Sequence, residues 1–445
     1  MQRDVAIVGA GLCGPLLAVL LARRRFRVTL YERGDDPREK APSGGRSINL
    51  ALAARGIHAL QRAGLMEAVE PLLLPMRGRS VHDEAGNVEL LPYGQREHEV
   101  IHSVSRAGLN RVLVEAAAAE GVTLRFGHEA VGAETGSVRM RERASGREFR
   151  LDAPLIAADG AGSAVRRGLD ATAGIGATES LLPHSYKELT LPPGAGGTFR
   201  LDPGALHIWP RGGFMLIALP NPGGDFTCTL FLANEGSPSF GELVEPAAVG
   251  AFFRRWFGDV AELIPDLEST FLRNPLGVLG TVRCRRWHAG EVLLIGDAAH
   301  AIVPFHGQGM NLAFEDCALL DRMLDEAGSW REVFERFEAE QLPNANAIAD
   351  MALENYVEMR DTVRDPKFAL QKALSFELEK RLPRRFIPRY SMVMFHAEIP
   401  YAVAFERGAV QQALLDELTR DAHALADIDL DAATALARDR LPPLP

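Results

Sequence analysis

The turn Gly9-Ala10-Gly11-Leu12-Cys13-Gly14 constrains the fold of this 445-residue chain more than any other feature of its sequence. Gly9 permits a tight turn between a strand and a helix, Gly11 lets a pyrophosphate approach the backbone, and Gly14 allows the helix to pack closely on the strand. Glu32 follows at the end of a second strand, where its carboxylate can accept a hydrogen bond from a ribose hydroxyl. The pattern predicts a Rossmann-like domain for a dinucleotide with a free 2′-hydroxyl, such as FAD or NAD.

The residues around this turn have the order that such a domain needs. Asp4 to Val8 is predicted to be a strand, Leu12 to Arg24 a helix, and Val28 to Tyr31 a second strand. Pro15 lies in the first turn of the helix, where its missing N–H donor costs little. Arg25 stands where the helix must end, at a position that glycine often occupies, so we expect it to adopt the left-handed conformation.

Two later loops each place an acid beside a glycine after a buried strand. One is Asp159-Gly160, which is followed by a helix that carries Arg166. The other is Gly296-Asp297, which follows the apolar run Val292 to Ile295 and leads through a proline- and glycine-containing loop to a helix over Leu312 to Leu324. Taken alone, each is explained by an ordinary strand-turn-helix. Together with the first glycine turn, they predict three corners of one ligand site, with helix N-termini directed at an electron-rich group.

The length predicts two or three domains. From about 181 to 281, alternating apolar runs separated by Pro-Gly turns indicate an antiparallel sheet, and from Trp330 onward the pattern is helical. We therefore expect an α/β fold with an α+β substrate region. The expected division is a Rossmann-like FAD-binding domain in two parts, 1–175 and 283–335, an inserted antiparallel-sheet substrate domain, 176–282, and a C-terminal helical region, 336–445.

Charge and cysteine content narrow the function classes. The formal net charge of −10 offers no basic surface for a phosphate backbone, which disfavours nucleic-acid binding. The sequence contains no uninterrupted run of 18 apolar residues, so no membrane-spanning helix is predicted. The four cysteines include no C-x-x-C pair, which predicts no metal site and suits a reducing compartment. We expect a soluble, cytoplasmic protein; the cysteines are Cys13, Cys228, Cys284 and Cys317.

The three corners resemble the signature set of the single-component FAD-dependent aromatic hydroxylases. Further stretches narrow the resemblance to the branch that hydroxylates kynurenine, and it covers about Val5 to Phe395. These stretches are Gly45 to Leu52, Ser103 to Arg106, Leu206 to Arg211, Pro304 to Asn311, Asn355 to Arg360 and Phe386 to Tyr390. The chain departs from the family at Ser185, which usually is glycine, and at Gln341, which usually is basic.

The resemblance implies the chemistry. FAD is the bound cofactor, NADPH is a transient reductant, and reduced flavin with O2 forms a C4a-hydroperoxide that converts L-kynurenine to 3-hydroxy-L-kynurenine. No side chain is needed as a catalytic nucleophile. Since the chain has no second G-x-G-x-x-G, we expect NADPH to have no domain of its own. The family's animal members carry a C-terminal membrane anchor, but the charged tail of this chain does not predict one.

The resemblance also implies site residues. Those expected to hold the polar groups of the substrate are Arg79, Tyr93, Asn355 and Tyr390. Those expected to line the pocket around its ring are Leu206, Ile208, Met215, Phe231, Pro304 and Phe305, with Gln308 as a polar contact near the flavin. Those expected to bind FAD are Gly9, Gly11, Cys13, Gly14, Glu32, Arg33, Ala51, Arg106, Ala130, Asp159, Asp297, Met310 and Asn311. An arginine can grip a carboxylate through two hydrogen bonds, although by position alone Arg79 is an ordinary exposed strand charge.

Three alternatives remain open at this point. The chain could hydroxylate another aromatic acid or a ring-substituted kynurenine, since these enzymes share the FAD motifs. It could also be an FAD-binding module without catalytic activity. A flavin halogenase is disfavoured, because the tryptophans at 209, 256, 287 and 330 form no W-x-W pair. The oligomeric state and the pathway served, whether tryptophan breakdown or pyridine nucleotide synthesis, are not predicted.

Overall fold

The computed structural model describes residues 2–39, 49–152, 154–361 and 365–444. The family-like segment Gly45 to Ile48 lies outside the described residues. Two compact units are present. The first consists of Met1–Leu74, His102–Leu182 and Val278–Ala349, and the second of Pro75–Ile101, Pro183–Gly277 and Asp350–Pro445.

The first two thirds of the chain contain both strands and helices, and helices dominate its last third. The strands are β1 (Asp4–Val8), β2 (Arg27–Glu32), β3 (Asn49–Leu52), β4 (Leu74–Met76), β5 (Gly78–His82), β6 (Val88–Pro92), β7 (Ile101–Ser105), β8 (Thr123–Phe126), β9 (His128–Glu134), β10 (Ser137–Glu142), β11 (Glu148–Asp152), β12 (Leu155–Ala157), β13 (Thr178–Leu191), β14 (Ala205–Pro210), β15 (Met215–Pro220), β16 (Phe226–Ala233), β17 (Gly277–Arg283), β18 (His288–Ala289) and β19 (Val292–Leu294). The helices are α1 (Cys13–Arg23), α2 (Ala54–Arg62), α3 (Met66–Val69), α4 (Arg106–Ala119), α5 (Ala164–Ala173), α6 (Pro246–Trp256), α7 (Gly258–Ala261), α8 (Leu267–Arg273), α9 (Asp297–His300), α10 (Gly309–Met323), α11 (Trp330–Arg360), α12 (Pro366–Arg381), α13 (Arg389–Phe395), α14 (Tyr401–Leu418) and α15 (Leu430–Arg440).

The first unit is built on a sheet in the order β18-β19-β12-β1-β2-β8. All its pairs are parallel except the short edge pair β18–β19. The carboxyl ends of parallel strands meet at one edge, and in open α/β sheets that edge binds the ligand. The glycine turn follows β1, Glu32 ends β2, Asp159 comes soon after β12, and Gly296 comes soon after β19. The strand order therefore brings the predicted corners to the same edge of the sheet.

Local predictions for this unit are confirmed. The strand-helix-strand start and the helices after both acid-glycine corners form as expected. Arg25 has a φ of 64°, so it does adopt the left-handed conformation. Its N–H donates to the Ala22 carbonyl at 2.8 Å and the next N–H, of Phe26, to that of Leu21 at 3.1 Å. These bonds satisfy carbonyl groups that the end of α1 leaves open.

The second unit contains the predicted antiparallel sheet, with an addition. Within this unit the strand order is β13-β16-β15-β14-β5-β6. The hairpin β5–β6 joins the sheet because β5 pairs with β14 in parallel orientation. Arg79 therefore lies within this sheet, paired on both sides. The α/β fold class, with helices at the C-terminal end, is confirmed.

One face of this sheet packs against a phenylalanine-rich core. Trp209, Leu216 and Leu230 point into that core, together with Phe253 and Phe257 from the region of α6. A separate apolar cluster joins α12, α14 and α15. Over the described ranges, no helix combines the length and apolarity needed to cross a bilayer.

Candidate active site

The glycine turn of the first unit has the geometry of a phosphate-binding loop. A Cβ atom on Gly9, whose φ is 104°, would lie 2.2 Å from the Ala158 carbonyl oxygen, and one on Gly14 would lie 1.9 Å from the Gly9 carbonyl oxygen. At Gly11, by contrast, no described atom beyond the two chain neighbours lies within 4 Å of the added Cβ position. Two glycines are thus required by the protein's own packing, and the third leaves room for a ligand. This arrangement fits a dinucleotide pyrophosphate.

Glu32 holds this turn in place. Its carboxylate oxygens accept hydrogen bonds from the backbone N–H groups of Ala10 and Gly34, both at 2.7 Å. A carboxylate has about four acceptor positions, so the predicted bond from a ribose hydroxyl is compatible with these contacts. That role stays a prediction.

The Asp159 corner also bonds to its own backbone. Asp159 accepts hydrogen bonds from the Ser163 hydroxyl at 2.6 Å and from the Ala164 N–H at 2.9 Å, at the start of α5. Burial raises the pKa of its carboxyl group, an effect that these bonds oppose. The buried Arg166 of α5 donates to the Ala298 carbonyl at 2.9 Å. Arg166 therefore joins the second corner to the third.

A buried histidine–aspartate pair supports the third corner. The Gly296 N–H donates to the Asp316 carboxylate at 2.9 Å, and His300 Nε2 lies 2.6 Å from the same oxygen. Burial lowers the pKa of His300, but the charge and the hydrogen bond of Asp316, with the charge of Asp297, together outweigh burial and raise it overall. Gln341, the departure from the family pattern, donates to the other Asp316 oxygen at 3.0 Å. Asp297 itself is exposed between buried neighbours.

Asn311 ties the start of α10 to β3. Its side-chain nitrogen donates to the carbonyl groups of Ala51 and Gly307 at 2.8 and 2.9 Å, and its oxygen accepts from the Ala53 N–H at 2.9 Å. The side chain is therefore used by the protein itself. What the start of α10 can offer a ligand is its backbone N–H groups, as expected at a helix N-terminus.

The remaining predicted FAD residues also lie in the first unit. Cys13 is buried with its Sγ 3.5 Å from that of Cys317, and this thiol contact, with burial, raises the pKa of Cys13, so the thiol stays protonated. The others occupy β9, the end of β2, β3, the first turn of α4 and the start of α10, and are Ala130, Arg33, Ala51, Arg106 and Met310. The first unit also holds three residues predicted to contact the substrate, on the loop before α10, and these are Pro304, Phe305 and Gln308.

Three of the polar residues predicted to bind the substrate form one cluster in the second unit, around Arg79. The Arg79 guanidinium carbon lies 5.0 Å from the ring centre of Tyr390 and 5.8 Å from that of Tyr93. The two phenol rings stack on each other, with centroids 5.6 Å apart and planes inclined by 15°. Residues 79, 93 and 390 are thus brought together as predicted, and the buried Asn355 lies in the same unit on α11.

The cluster contains charged groups that the sequence analysis missed. Glu358 Oε1 lies 3.3 Å from Arg79 Nη1. It follows Asn355 by three residues on α11, a spacing that puts both side chains on one helix face and could have revealed it. Lys372 on α12 is the second: burial lowers its pKa to about 8, and the positive charge of Arg79 adds to the shift.

Burial also fixes the protonation of the two phenols. It raises the pKa of Tyr93, with the neighbouring phenol adding to the effect, and it raises the pKa of Tyr390 against the opposing charge of Arg79. Both phenols are therefore neutral near pH 7 and can donate a hydrogen bond to an anionic ligand.

Strand register places the apolar pocket residues on one face of the sheet. Leu206 is paired with Arg79, so both side chains point the same way, and Ile208 shares their face because side chains alternate along a strand. Met215, opposite Pro210, is also paired with Phe231, which extends this face. Since Trp209 and Leu216 point into the phenylalanine-rich core, this face lies opposite that core.

Comparison with known proteins agrees with these features. A family model described as "FAD binding domain" matches residues 2–186 and 275–352. A curated protein of Stenotrophomonas maltophilia named kynurenine 3-monooxygenase is 48% identical over 100% of this chain and 98% of its own length. A protein of the same name from Myxococcus xanthus is 45% identical over 99% of this chain and 96% of its own length. This chain belongs to the kynurenine 3-monooxygenase family. The predicted resemblance to FAD-dependent hydroxylases is confirmed.

Solved structures support the fold of this kynurenine 3-monooxygenase family member. The tetrameric form of 2-methyl-3-hydroxypyridine-5-carboxylic acid oxygenase aligns with a TM-score of 0.67 at 19% identity, over 82% of this chain and 94% of that one. Pseudomonas aeruginosa PqsL, solved with 2-aminobenzoylacetate, aligns with a TM-score of 0.65 at 24% identity, over 81% of this chain and 98% of that one. The chain is an FAD-dependent monooxygenase by family.

Proposed function

We propose that this enzyme hydroxylates L-kynurenine to 3-hydroxy-L-kynurenine, using bound FAD, NADPH and O2. Relatives named for this activity match the full length at 45–48% identity. The observation that carries the choice of substrate is the pair formed by Arg79 and Glu358, 3.3 Å apart at one end of the polar cluster.

The charge pair suits an amino acid better than a simple aromatic acid. Kynurenine carries a carboxylate and an ammonium on the same α-carbon, so Arg79 can bind the first and Glu358 the second. The Tyr93 and Tyr390 phenols and the Asn355 amide supply further hydrogen bonds to the carboxylate. A benzoate would compete with Glu358 for Arg79 and bring no ammonium group of its own to pair with Glu358. The other predicted substrate, a different aromatic acid, is therefore disfavoured.

We assign cofactor binding to the first unit and packing against the substrate ring mainly to the second. FAD, once reduced by NADPH, supplies the activation of O2 that the reaction needs. The glycine turn and the Asp159 and Asp297 corners would hold the dinucleotide, with the backbone N–H groups at Met310 and Asn311 available to its flavin end. Leu206, Ile208, Met215 and Phe231 pack against the aromatic ring of the substrate and exclude water. Pro304, Phe305 and Gln308 are the proposed substrate contacts of the first unit.

The domain boundaries and the cellular location belong to the same proposal. The boundaries at 175, 282 and 335 separate the FAD-binding parts from the substrate domain and the C-terminal helices. The enzyme works in the cytoplasm, which agrees with four buried cysteines that are all free thiols.

Product analysis tests the function directly. Purified enzyme is supplied with NADPH and ¹⁸O2 and offered kynurenine, 4-hydroxybenzoate or salicylate in turn. The expected product is kynurenine with one ¹⁸O atom on the ring carbon beside the amine, formed in a 1:1 ratio to NADPH consumed. NADPH oxidation that yields only hydrogen peroxide with kynurenine, or a hydroxylated benzoate in its place, would contradict the proposal.

A matched substrate pair tests the role of Glu358. Wild-type enzyme should prefer kynurenine over its deamino analogue by about tenfold or more in kcat/KM, and Glu358→Gln should remove most of that preference. An unchanged preference in the variant would show that the ammonium binds elsewhere.

A further inference from the structure

We infer that a buried carboxylate clamp fixes the loop after Tyr93 to helix α12 and thereby positions the Tyr93 phenol beside Arg79. The inference rests on the proposed function, in which these two residues bind the substrate carboxylate. None of the clamp residues belongs to the predicted site. The clamp consists of Gln95, Arg96, Glu99 and Glu379.

The first half of the clamp closes the loop on itself. The Glu99 carboxylate accepts hydrogen bonds from the N–H groups of Gln95 and Arg96 at 2.6 and 2.9 Å, and its other oxygen bonds to the Arg96 guanidinium. Glu99 is only 3% exposed. Gly94 cannot be larger, because a Cβ atom there would lie 2.3 Å from the Glu99 carboxylate. The loop therefore has one closed conformation that begins directly after Tyr93.

The second half fixes this closed loop to α12. Glu379, 2% exposed, accepts from the Gln95 side-chain nitrogen at 2.7 Å and from the Arg96 guanidinium at 3.1 Å. Gln95 also donates to the Phe376 carbonyl, one helical turn earlier, at 3.1 Å. Both oxygens of each buried carboxylate are thus bonded, and Arg96 bridges the two.

The clamp is better explained by positioning than by stability. Burying two carboxylates around one guanidinium has a large desolvation cost, and such groups often add little net stability over apolar residues. Such groups do fix the orientation of the loop that they bind, because charge-assisted hydrogen bonds form only over a narrow range of distances and angles. The residue they direct is Tyr93, whose ring stacks on Tyr390 and lies 5.8 Å from the Arg79 guanidinium. Because this phenol is already fixed, substrate binding does not have to include the entropic cost of ordering it.

The test compares clamp variants with a matched control on the same helix. Glu379→Gln and Arg96→Ala should each raise KM for kynurenine by about fivefold, with kcat within about twofold and FAD affinity unchanged. Lys380→Ala, which breaks the neighbouring exposed pair of Lys380 with Glu377, should leave KM unchanged. Equal KM values in wild type and both clamp variants would overturn the inference.

Repeating the substitutions in a Tyr93→Phe background separates positioning from a general structural effect. If the clamp acts through the phenol, Glu379→Gln should add less than about twofold to KM once the hydroxyl is gone. A full additive effect in that background would overturn the inference.

Amide exchange gives a readout that does not depend on the substrate. The N–H groups of Gln95 and Arg96 should exchange at least about tenfold faster in Arg96→Ala than in wild type and Lys380→Ala. Unchanged exchange would overturn the clamp even if kynurenine is the substrate. Faster exchange in an enzyme that ignores kynurenine would support the clamp and reject the proposed function.

Discussion

The two units build their parts of the site in opposite ways. In the first unit, two acids and the amide of the predicted motifs bond to the protein's own backbone: Glu32 to the glycine turn, Asp159 to the start of α5, and Asn311 to β3. In the second unit, Arg79 and the two phenols turn toward one another in a cluster that includes the ion pair with Glu358. The first unit therefore presents a ligand with rigid backbone turns, and the second presents it with charged and polar side chains.

This difference separates two kinds of recognition. A cofactor that stays bound can be recognised by the shape of turns, which side chains then make rigid. A substrate that enters and leaves at every turnover needs groups that exchange partners, and charged side chains do this at low cost in backbone rearrangement. Substitutions in the first unit should therefore change cofactor retention, and substitutions in the second should change KM.

The largest effect is expected at Gly14. Gly14→Ala would force a methyl group to 1.9 Å from the Gly9 carbonyl oxygen, which the turn cannot absorb without moving. We expect FAD affinity to fall by about a thousandfold or more, so that the protein is purified without colour. The measurement is the ratio of flavin to protein absorbance, followed by FAD titration. A yellow variant with a full complement of FAD would contradict the assignment of cofactor binding to this turn.

Arg79→Ala is expected to affect the substrate alone. The α-carboxylate of kynurenine would lose its cationic partner in a buried place, and Glu358 would lose its own. KM should rise by about a hundredfold while FAD stays bound. Steady-state kinetics and flavin absorbance measure both effects in one sample, and Arg79→Lys, which keeps the charge without the two-pronged geometry, should fall between. Loss of FAD from Arg79→Ala would contradict the separation of roles.

Gly11→Ala sharpens the comparison, because the added methyl group meets no described protein atom within 4 Å. The melting temperature of the FAD-free variant should equal that of the FAD-free wild type. FAD affinity should nevertheless fall by about tenfold, since the methyl group occupies the space proposed for the pyrophosphate. Calorimetry on the apoprotein and FAD titration measure the two quantities. Wild-type FAD affinity would mean that the pyrophosphate lies elsewhere.

The smallest effect concerns the core-facing side of the substrate sheet. His207 Nε2 donates to the Asp202 carbonyl at 2.9 Å, so Nδ1 must accept from His82, also at 2.9 Å. Burial lowers the pKa of His207 to about 4. The unfolded chain takes up this proton near pH 6.5, so the folded state loses about 1 kcal/mol between about pH 7 and about pH 5.5.

His207→Gln, which does not titrate, should reduce that pH dependence. The measurement is the urea midpoint at both pH values, with KM for kynurenine as the control. We expect KM to stay the same, because His207 and the ligand-facing Leu206 point to opposite faces of the sheet. A changed KM would show that the core-facing side of the sheet affects substrate binding on the other side.

The parts of the fold predicted best are those where backbone geometry demands a residue type. Gly9, Gly14 and Arg25 mark turns that few conformations satisfy, and apolar strands mark the parallel sheet. The acids beside the glycines indicated a site, but the sequence did not show that Asp159 caps α5. That contact depends on how the turn folds, which composition does not determine.

The second unit was harder to predict, because its site joins distant segments. Arg79 and Glu358 are far apart in sequence, and no spacing rule connects a strand residue with one on a late helix. The parallel pairing of β5 with β14 was not predicted, because register between remote strands depends on the whole sheet. The clamp residues surround a loop of ordinary polar composition, in which only burial distinguishes Glu99 from its exposed neighbours.

Arg166 has a consequence for how the cofactor leaves. By donating to the Ala298 carbonyl, it couples α5 to the segment after Gly296. Release of the flavin nucleotide should then be fastest when α5 unfolds locally and this contact breaks. Exchange of the prosthetic group should accordingly follow the local unfolding rate of α5 more closely than the strength of any single bond to the nucleotide.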